Sequence, residues 1–543
     1  MRRSSISCLV LGALAVVACG TGAIDPAAGG AGTSGAPGGS SGLVGAADAG
    51  SAADTGVASD AGAVPPKDGS VPPRPKGACK PITLATGAKV AAYVSEVFSF
   101  HDAGCALRTA ALVRNDAVGP GGSKGGFLRK YTYDVGGVQR PATGTGANGL
   151  WNGFGYVVAH YGNASADAES RDTVGTTSTL LAGPHHAIHE FKWRIFPDGK
   201  PVDVTVHWFF ATGRTHPVYA ITYDATPAGA NAVRADSRAP YGDLGWDADT
   251  KGDVEGLGWG DAYAFTTTGA GPVRPQSAWD YAKPNTIPYV VEWSKSVDAE
   301  MGLVQTQAWA RGVSGGDYGG GTLAADCWGK TSLAHGPACV TTAGWTMPTD
   351  YLWPYQLSNY ELPFVTTSHR MAWGATYGAV GQTSYDAFGK KQNGYPYLSY
   401  STFVVLGTRS GAEVARTVAD MEHASVAAMT ATVGSVATLG AGGVGRTDAV
   451  DFSPTGYSPV YGTWDVDGDG NAATVTLTSA AGLAQPILRL RNYMAATPPA
   501  HVQLDGKELV ANVDYFVTVD VARDLLWLTL DRTITGAAQI KVF

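Results

Sequence analysis

Six of the eleven histidines lie between His160 and His216, and imidazole is the side chain whose ordinary proton affinity sits closest to neutral pH. Beside a carboxylate a histidine gains both an orientation and a raised affinity for its proton, the pairing that general acid–base catalysis uses. The segment HHAIHEFKWRIFPDGKPVDVTVHWFFATGRTHPVYAITYD, from His185 to Asp224, alternates apolar and polar residues and reads as a three-stranded meander. A turn at Asp198-Gly199 pairs residues whose numbers sum to 397, as in Glu190 and His207. One face then matches Ile195 with Val202, Trp193 with Val204, Phe191 with Val206 and His189 with Trp208, which is a core. The other matches Arg194 with Asp203, Lys192 with Thr205 and Glu190 with His207, the polar and opposite-charge pairs that a correct register produces. Carrying the chain round Thr212-Gly213 sets His216 opposite Phe209, on the His207 face. The expected site is a polar patch in which Glu190, His207 and His216 exchange protons while Lys192 and Arg214 contact substrate. A solvated sheet face with ordinary ion pairs fits the same pattern. His189 reads as a core histidine. Zinc on His185, His186 and His189 is disfavoured, because alternation splits them between faces and no H-E-x-x-H helix is present.

A second cluster is aromatic. Trp353, Tyr355, Tyr360 and Tyr397, with further tyrosines between them, suit sugar rings, whose apolar faces stack on flat side chains while their hydroxyls meet a polar rim. A β core also uses aromatics, but it does not account for His369 and Arg370 in TTSHRMAWG. An arginine there can hold a carboxylate and the histidine can move a proton. Acidic residues gather between Asp243 and Asp261, and Asp465, Asp467 and Asp469 begin like a calcium loop. The twelfth position of that loop is Thr476 where a bidentate glutamate belongs. It is read as a turn, with calcium the one ion for which the chain offers ligands. No other cofactor is expected. The three G-x-S-x-G matches, at Ser40, Ser123 and Ser314, open no helix, as a nucleophile elbow would.

These residues need a scaffold, and the composition says which kind. Glycine takes 73 of 543 positions and charged residues only 15%, against a usual ~25%, which argues for turns and strands rather than long helices. The net charge of -8 gives no footprint for a polyphosphate backbone, so no nucleic-acid partner is expected. Period-two segments such as YVVEWSKSV and STFVVLG predict an all-β fold: a large antiparallel β-sandwich, super-sandwich-like, over 78–409, then a small β-sandwich over 435–543. Between them a helix is expected over 410–434, opened by a capping box of Ser410 and Glu413.

At the amino end Arg2 and Arg3 precede an apolar run from Ile6 to Ala18, too short to span a bilayer and typical of an export signal over 1–18. Val16-Val17-Ala18-Cys19 resembles the lipobox of bacterial lipoproteins. That resemblance implies acylation of Cys19 and a protein held at the cell surface or outer membrane through its lipid alone. Residues 19–77 hold no aromatic residue and read as a Gly/Ala/Ser/Pro tether. Export favours disulfides, and sequence proximity pairs Cys79 with Cys105 and Cys327 with Cys339. Export, tether and aromatics together predict a polysaccharide-degrading enzyme. The favoured reaction is β-elimination on a uronate glycan, ahead of hydrolysis by paired carboxylates and of a non-catalytic glycan-binding or adhesive lipoprotein.

Overall fold

The computed structural model describes residues 79–135, 138–144, 153–160, 168–229, 236–242, 244–246, 256–260, 266–268, 287, 289–295, 297–308, 355–357, 371–375 and 396–543. All of them fall in one compact unit that begins at Val64. The fold is all-β, with one α-helix among the described residues.

Two sheets make the large sandwich. An 11-stranded sheet runs from the edge strand Thr83–Val90 through Tyr93–His101, Leu107–Val113 and Phe127–Val135 toward Met371–Ala375. Facing it, a 9-stranded sheet carries in neighbouring order Ala299–Gln305, Tyr397–Gly407, Val218–Asp224, Val202–Ala211, His186–Ile195 and Thr176–Ala182. Between them lies a core of aromatic and β-branched residues, among them Phe98, Tyr131, Phe191, Val206, Trp208 and Ile221. Such side chains fit a pleated, buried surface. Two of the core's glycines are there for contact: a side chain on Gly126 or Gly155, both at positive φ, would strike Trp193 or Trp208.

The first meander turn has the expected register, with Glu190 opposite His207 and Arg194 opposite Asp203. The second does not. Phe209 pairs with Val218 rather than His216, and the third strand begins only at Val218. Pro217 has no N–H to give a ladder, so the bulge of chain from Thr212 to Pro217 stays outside the sheet and takes His216 with it.

The helix spans Glu413–Val426, shorter than expected at both ends. No capping box forms. The Ser410 amide and hydroxyl both donate to Asp298, at 2.6 and 2.7 Å. The Val414 amide donates to Oε1 of Glu300 at 2.8 Å. Both acceptors come from the 9-stranded sheet side, so the helix start is capped by tertiary partners. After Ala427 the chain turns directly into strand Ala428–Val433, which belongs to the second sandwich. That sandwich packs a 5-stranded sheet against a 6-stranded one around Trp464, Trp527, Leu477 and Ile540.

Cys79 and Cys105 form a disulfide, with Cα atoms 4.9 Å apart, as expected. Cys327 and Cys339 lie outside the described residues, as do Cys19 and the whole amino-terminal segment. Next to Cys105, the buried Asp102 accepts the amides of Gly104 and Ala106 and the Nε of Arg108 at 2.9 Å. Arg108 in turn donates to the Leu406 carbonyl at 2.9 Å, tying the two sheets of the large sandwich together. Removing the carboxylate strands a buried guanidinium, so Asp102→Ala should cost about 3–5 kcal/mol in urea unfolding. Arg194→Ala, on a solvated pair, should leave the midpoint where it is.

Candidate functional site

The outer face of the 9-stranded sheet changes character row by row, and the register fixes the rows. Ile188, Phe209, Val218 and Phe403 form an apolar row. Next come Glu190, His207, Ala220 and Ser401, then Lys192, Thr205, Thr222 and Ser399, and last Arg194, Asp203, Asp224 and Tyr397. The first row is buried with Tyr461, Trp464 and Trp527 of the second sandwich in one apolar cluster. The third and fourth rows open into a cleft of about 640 Å³, whose opposite wall is Val444–Thr447. That volume falls in the range of small-molecule sites.

The second row is the expected acid–base patch, and it is sealed. His207 is 5% exposed and Glu190 7%. Nε2 of His207 meets Glu190 at 3.0 Å and Nδ1 meets the Tyr461 hydroxyl at 2.6 Å. The Tyr461 ring lies 8° from parallel to the imidazole, with ring centroids 6.1 Å apart. Glu190 also holds Nζ of Lys192 at 3.0 Å and the Ser178 hydroxyl at 3.3 Å. Burial presses the Glu190 carboxyl upward, but the hydrogen bonds from His207 and Lys192 outweigh it and hold the group at about 2. Burial lowers the proton affinity of His207, with Glu190 restoring part of it. Burial raises Tyr461 far enough to keep it a phenol. A neutral imidazole that donates from Nε2 to Glu190 and accepts the Tyr461 proton on Nδ1 satisfies all three groups.

The other predicted residues are dispersed. His216 is not in this patch. It sits before the third strand, buried, with Nε2 3.4 Å from Glu413 at the helix start. Burial raises the Glu413 carboxyl, and the His216 hydrogen bond with nearby cations reverses this to about 2. Arg214 is half-buried beside the second sandwich, donating to the Gly462 carbonyl at 3.1 Å next to the Phe403 ring, and does not line the cleft. His185 and His186 reach the second sandwich at Asn512 and Thr529, 2.7 and 2.9 Å away. His189 is a core histidine, bonded to Thr177 and Thr179. Lys192 and Tyr397 do line the cleft. Tyr355 pairs through its backbone with Trp373. Trp353, Tyr360, His369 and Arg370, and the acidic residues from Asp243 to Asp261, lie outside the described residues.

Sequence reasoning missed Tyr461 and Arg446. Arg446 crosses from the second sandwich, with its guanidinium 4.4 Å from the Tyr397 ring centroid and Nη1 donating to Ser399 at 3.3 Å. The signal was the glycine-rich run before it. A side chain on Gly443 would collide with Ser399 and Thr222, and one on Gly445 would press on Thr205. The calcium-like segment begins on a strand, Thr463–Asp467, and only then turns; Asp465 is engaged by Arg489 and Asp467 by Arg491 from a parallel neighbouring strand. Among the described residues no group of three or more potential metal ligands occurs.

No family model matches the chain, and no curated protein matches it. Among solved structures it is similar to an alpha-mannosidase from Enterococcus faecalis V583, at 10% identity and a TM-score of 0.30. That match covers 80% of this chain and 41% of the other, so the chain spans less than half the length of the enzyme.

Burial, with nearby Arg114 and His207, lowers His189 to about 3 from an ordinary 6.5. Between those values the unfolded chain holds a proton that the native core refuses. The stability His189 contributes is complete above pH 6.5 and is lost as pH falls toward 3. Urea midpoints taken over that window should fall with pH, and His189→Gln should flatten the slope by up to one proton's worth.

Proposed function

We propose that this is an exported, lipid-anchored carbohydrate-active protein that binds a uronate-containing glycan in the cleft beside Lys192 and cleaves it by β-elimination. The observation that carries the reading is the make-up of that cleft. Two neighbouring rows present the cations Lys192 and Arg194 beside the hydroxyls of Thr205 and Thr222, with Tyr397 at the edge. Cations suit a sugar carboxylate, and neutral hydroxyls suit the ring oxygens and hydroxyls around it.

A cation at the carboxylate stabilises the enolate that forms when the C5 proton leaves. The C5–H electrons then become the C4–C5 double bond while the C4–O bond breaks, and the departing oxygen takes up a proton. Tyr397 is the described cleft residue suited to both transfers: as a phenolate it accepts the C5 proton, and the phenol so formed gives it to the departing oxygen. Glu190 keeps Lys192 in place, and His207 with Tyr461 keeps Glu190 in place.

One observation favours a second reading. Asp203 and Asp224 stand opposite each other in the ladder and both line the cleft, and facing carboxylates are what glycoside hydrolysis uses.

A panel of pectate, alginate and glucuronan separates these readings. Elimination gives ultraviolet absorbance from unsaturated ends, whereas hydrolysis gives reducing ends without it. Binding with neither marks an adhesin. For the lyase, Tyr397→Phe should lower turnover about 10²–10⁴-fold with little change in melting; unchanged turnover would remove Tyr397 from the chemistry.

A further inference from the structure

Each cation that lines the cleft is held by a carboxylate of the protein itself. Lys192 has Glu190 at 3.0 Å, Arg194 has Asp203 at 2.6 and 2.8 Å, and Arg446 has Asp448 on two of its nitrogens, with Nε at 2.7 Å. The first two pairs are built into the sheet. Glu190 is buried and tied to His207, while Arg194 and Asp203 face each other across a ladder.

The third pair is different in kind. Arg446 and Asp448 stand two residues apart in the loop between strands Leu439–Ala441 and Ala449–Asp451. The Arg446 side chain is 2% exposed and the Asp448 side chain 42%. The large sandwich fixes where the guanidinium lies, through the Tyr397 ring under its face and Ser399 at Nη1. Asp448, the more exposed partner, binds its Nε and a terminal nitrogen. A guanidinium held in this way presents a planar fork that matches a carboxylate. Asp448, a short loop acid that water can reach, takes two nitrogens of that fork.

We propose that Arg446 is the specificity-determining residue of the cleft, the seat for a ligand carboxylate, and that Asp448 fills this seat until a uronate displaces it. The proposal rests on the glycan reading above and adds the residue that selects acidic sugars. An exchange of one carboxylate for another conserves the bidentate pair, so Asp448 acts as a built-in competitor at high effective concentration.

The test is calorimetric titration of the full chain with tetragalacturonate and, in parallel, tetramannuronate. Asp448→Ser should tighten binding of the better ligand about tenfold. Arg446→Lys, which keeps the charge but loses the fork, should weaken it about tenfold. In the Arg446→Lys background the gain from Asp448→Ser should shrink below about twofold, because the two residues act on one interaction. A gain of equal size in both backgrounds would mean a general charge effect, and would overturn the proposal, as would no gain at all. Asp448→Asn, closer in shape, repeats the test if the serine variant melts early.

If wild type binds, Lys192→Ala weakens it and removal of Asp448 changes nothing, the seat fails while the glycan reading stands. If neither wild type nor Asp448→Ser binds either oligosaccharide, both fail.

Discussion

A sheet covered on both faces leaves its polar side chains no water to bond, and that constraint shapes everything around the meander. The inner face meets it by being apolar, with His189 satisfied locally by two threonines. The outer face meets it by grading. Its apolar row lies under the second sandwich, and its most charged row lies at the cleft. The row between is the costly one, because Glu190 and His207 are buried and an unpaired charge there would be expensive. Tyr461 closes the account by supplying the last hydrogen bond at 2.6 Å. The chain Tyr461–His207–Glu190–Lys192 is thus one polar network running from the covered part of the face to its open part.

The same constraint explains why the second sandwich touches the first where it does. Its loop approaches the outer face at Gly443 and Gly445, where any side chain would collide with Ser399, Thr222 or Thr205. Close approach of backbone to sheet is what lets Arg446 reach Tyr397 and lets Val444–Thr447 become a wall. Glycine at these positions serves contact as well as turn geometry.

What could be read in the sequence was what local pattern determines. The first hairpin was legible down to register, because a two-residue slip would have broken the Arg194–Asp203 and Glu190–His207 matches together. The all-β sandwich pair was legible from alternation, and the Cys79–Cys105 bridge from proximity. The failures share one cause, which is that the deciding partner lies far away in sequence. Ser410 prefers Asp298 to its own helix, Val414 is capped by Glu300, and His216 belongs to Glu413. Local spacing offered the capping box as the natural solution, and tertiary packing supplied a different acceptor to each donor. Tyr461 was invisible for the same reason, its partner lying 254 residues upstream, and the glycine run before Arg446 marks a close approach without naming the partner 47 residues upstream.

The helix start shows how far this tertiary control goes. Glu300 is almost fully buried, and burial lifts its carboxyl to about 7 against the pull of the Val414 amide and Arg409. For an acid, such a lift works against the native state as pH rises from its ordinary 4.5 through 7. His189 works against the native state in the opposite direction, as pH falls below 6.5. Both groups are retained in spite of these opposed costs. Through Glu300 a core strand of the large sandwich caps the described α-helix, and that helix leads directly into the second sandwich. The second sandwich is therefore anchored to the first at several places, among them the Glu300-capped helix, the Tyr461 bond on His207 and the bonds of His185 and His186 to Asn512 and Thr529. The cleft lies beyond the His207 row from that helix, and its wall is tied to the sheet by Arg446 at Ser399. A domain tied to the sheet from the helix start to the cleft wall is built as part of that cleft, not as a module swinging on a linker.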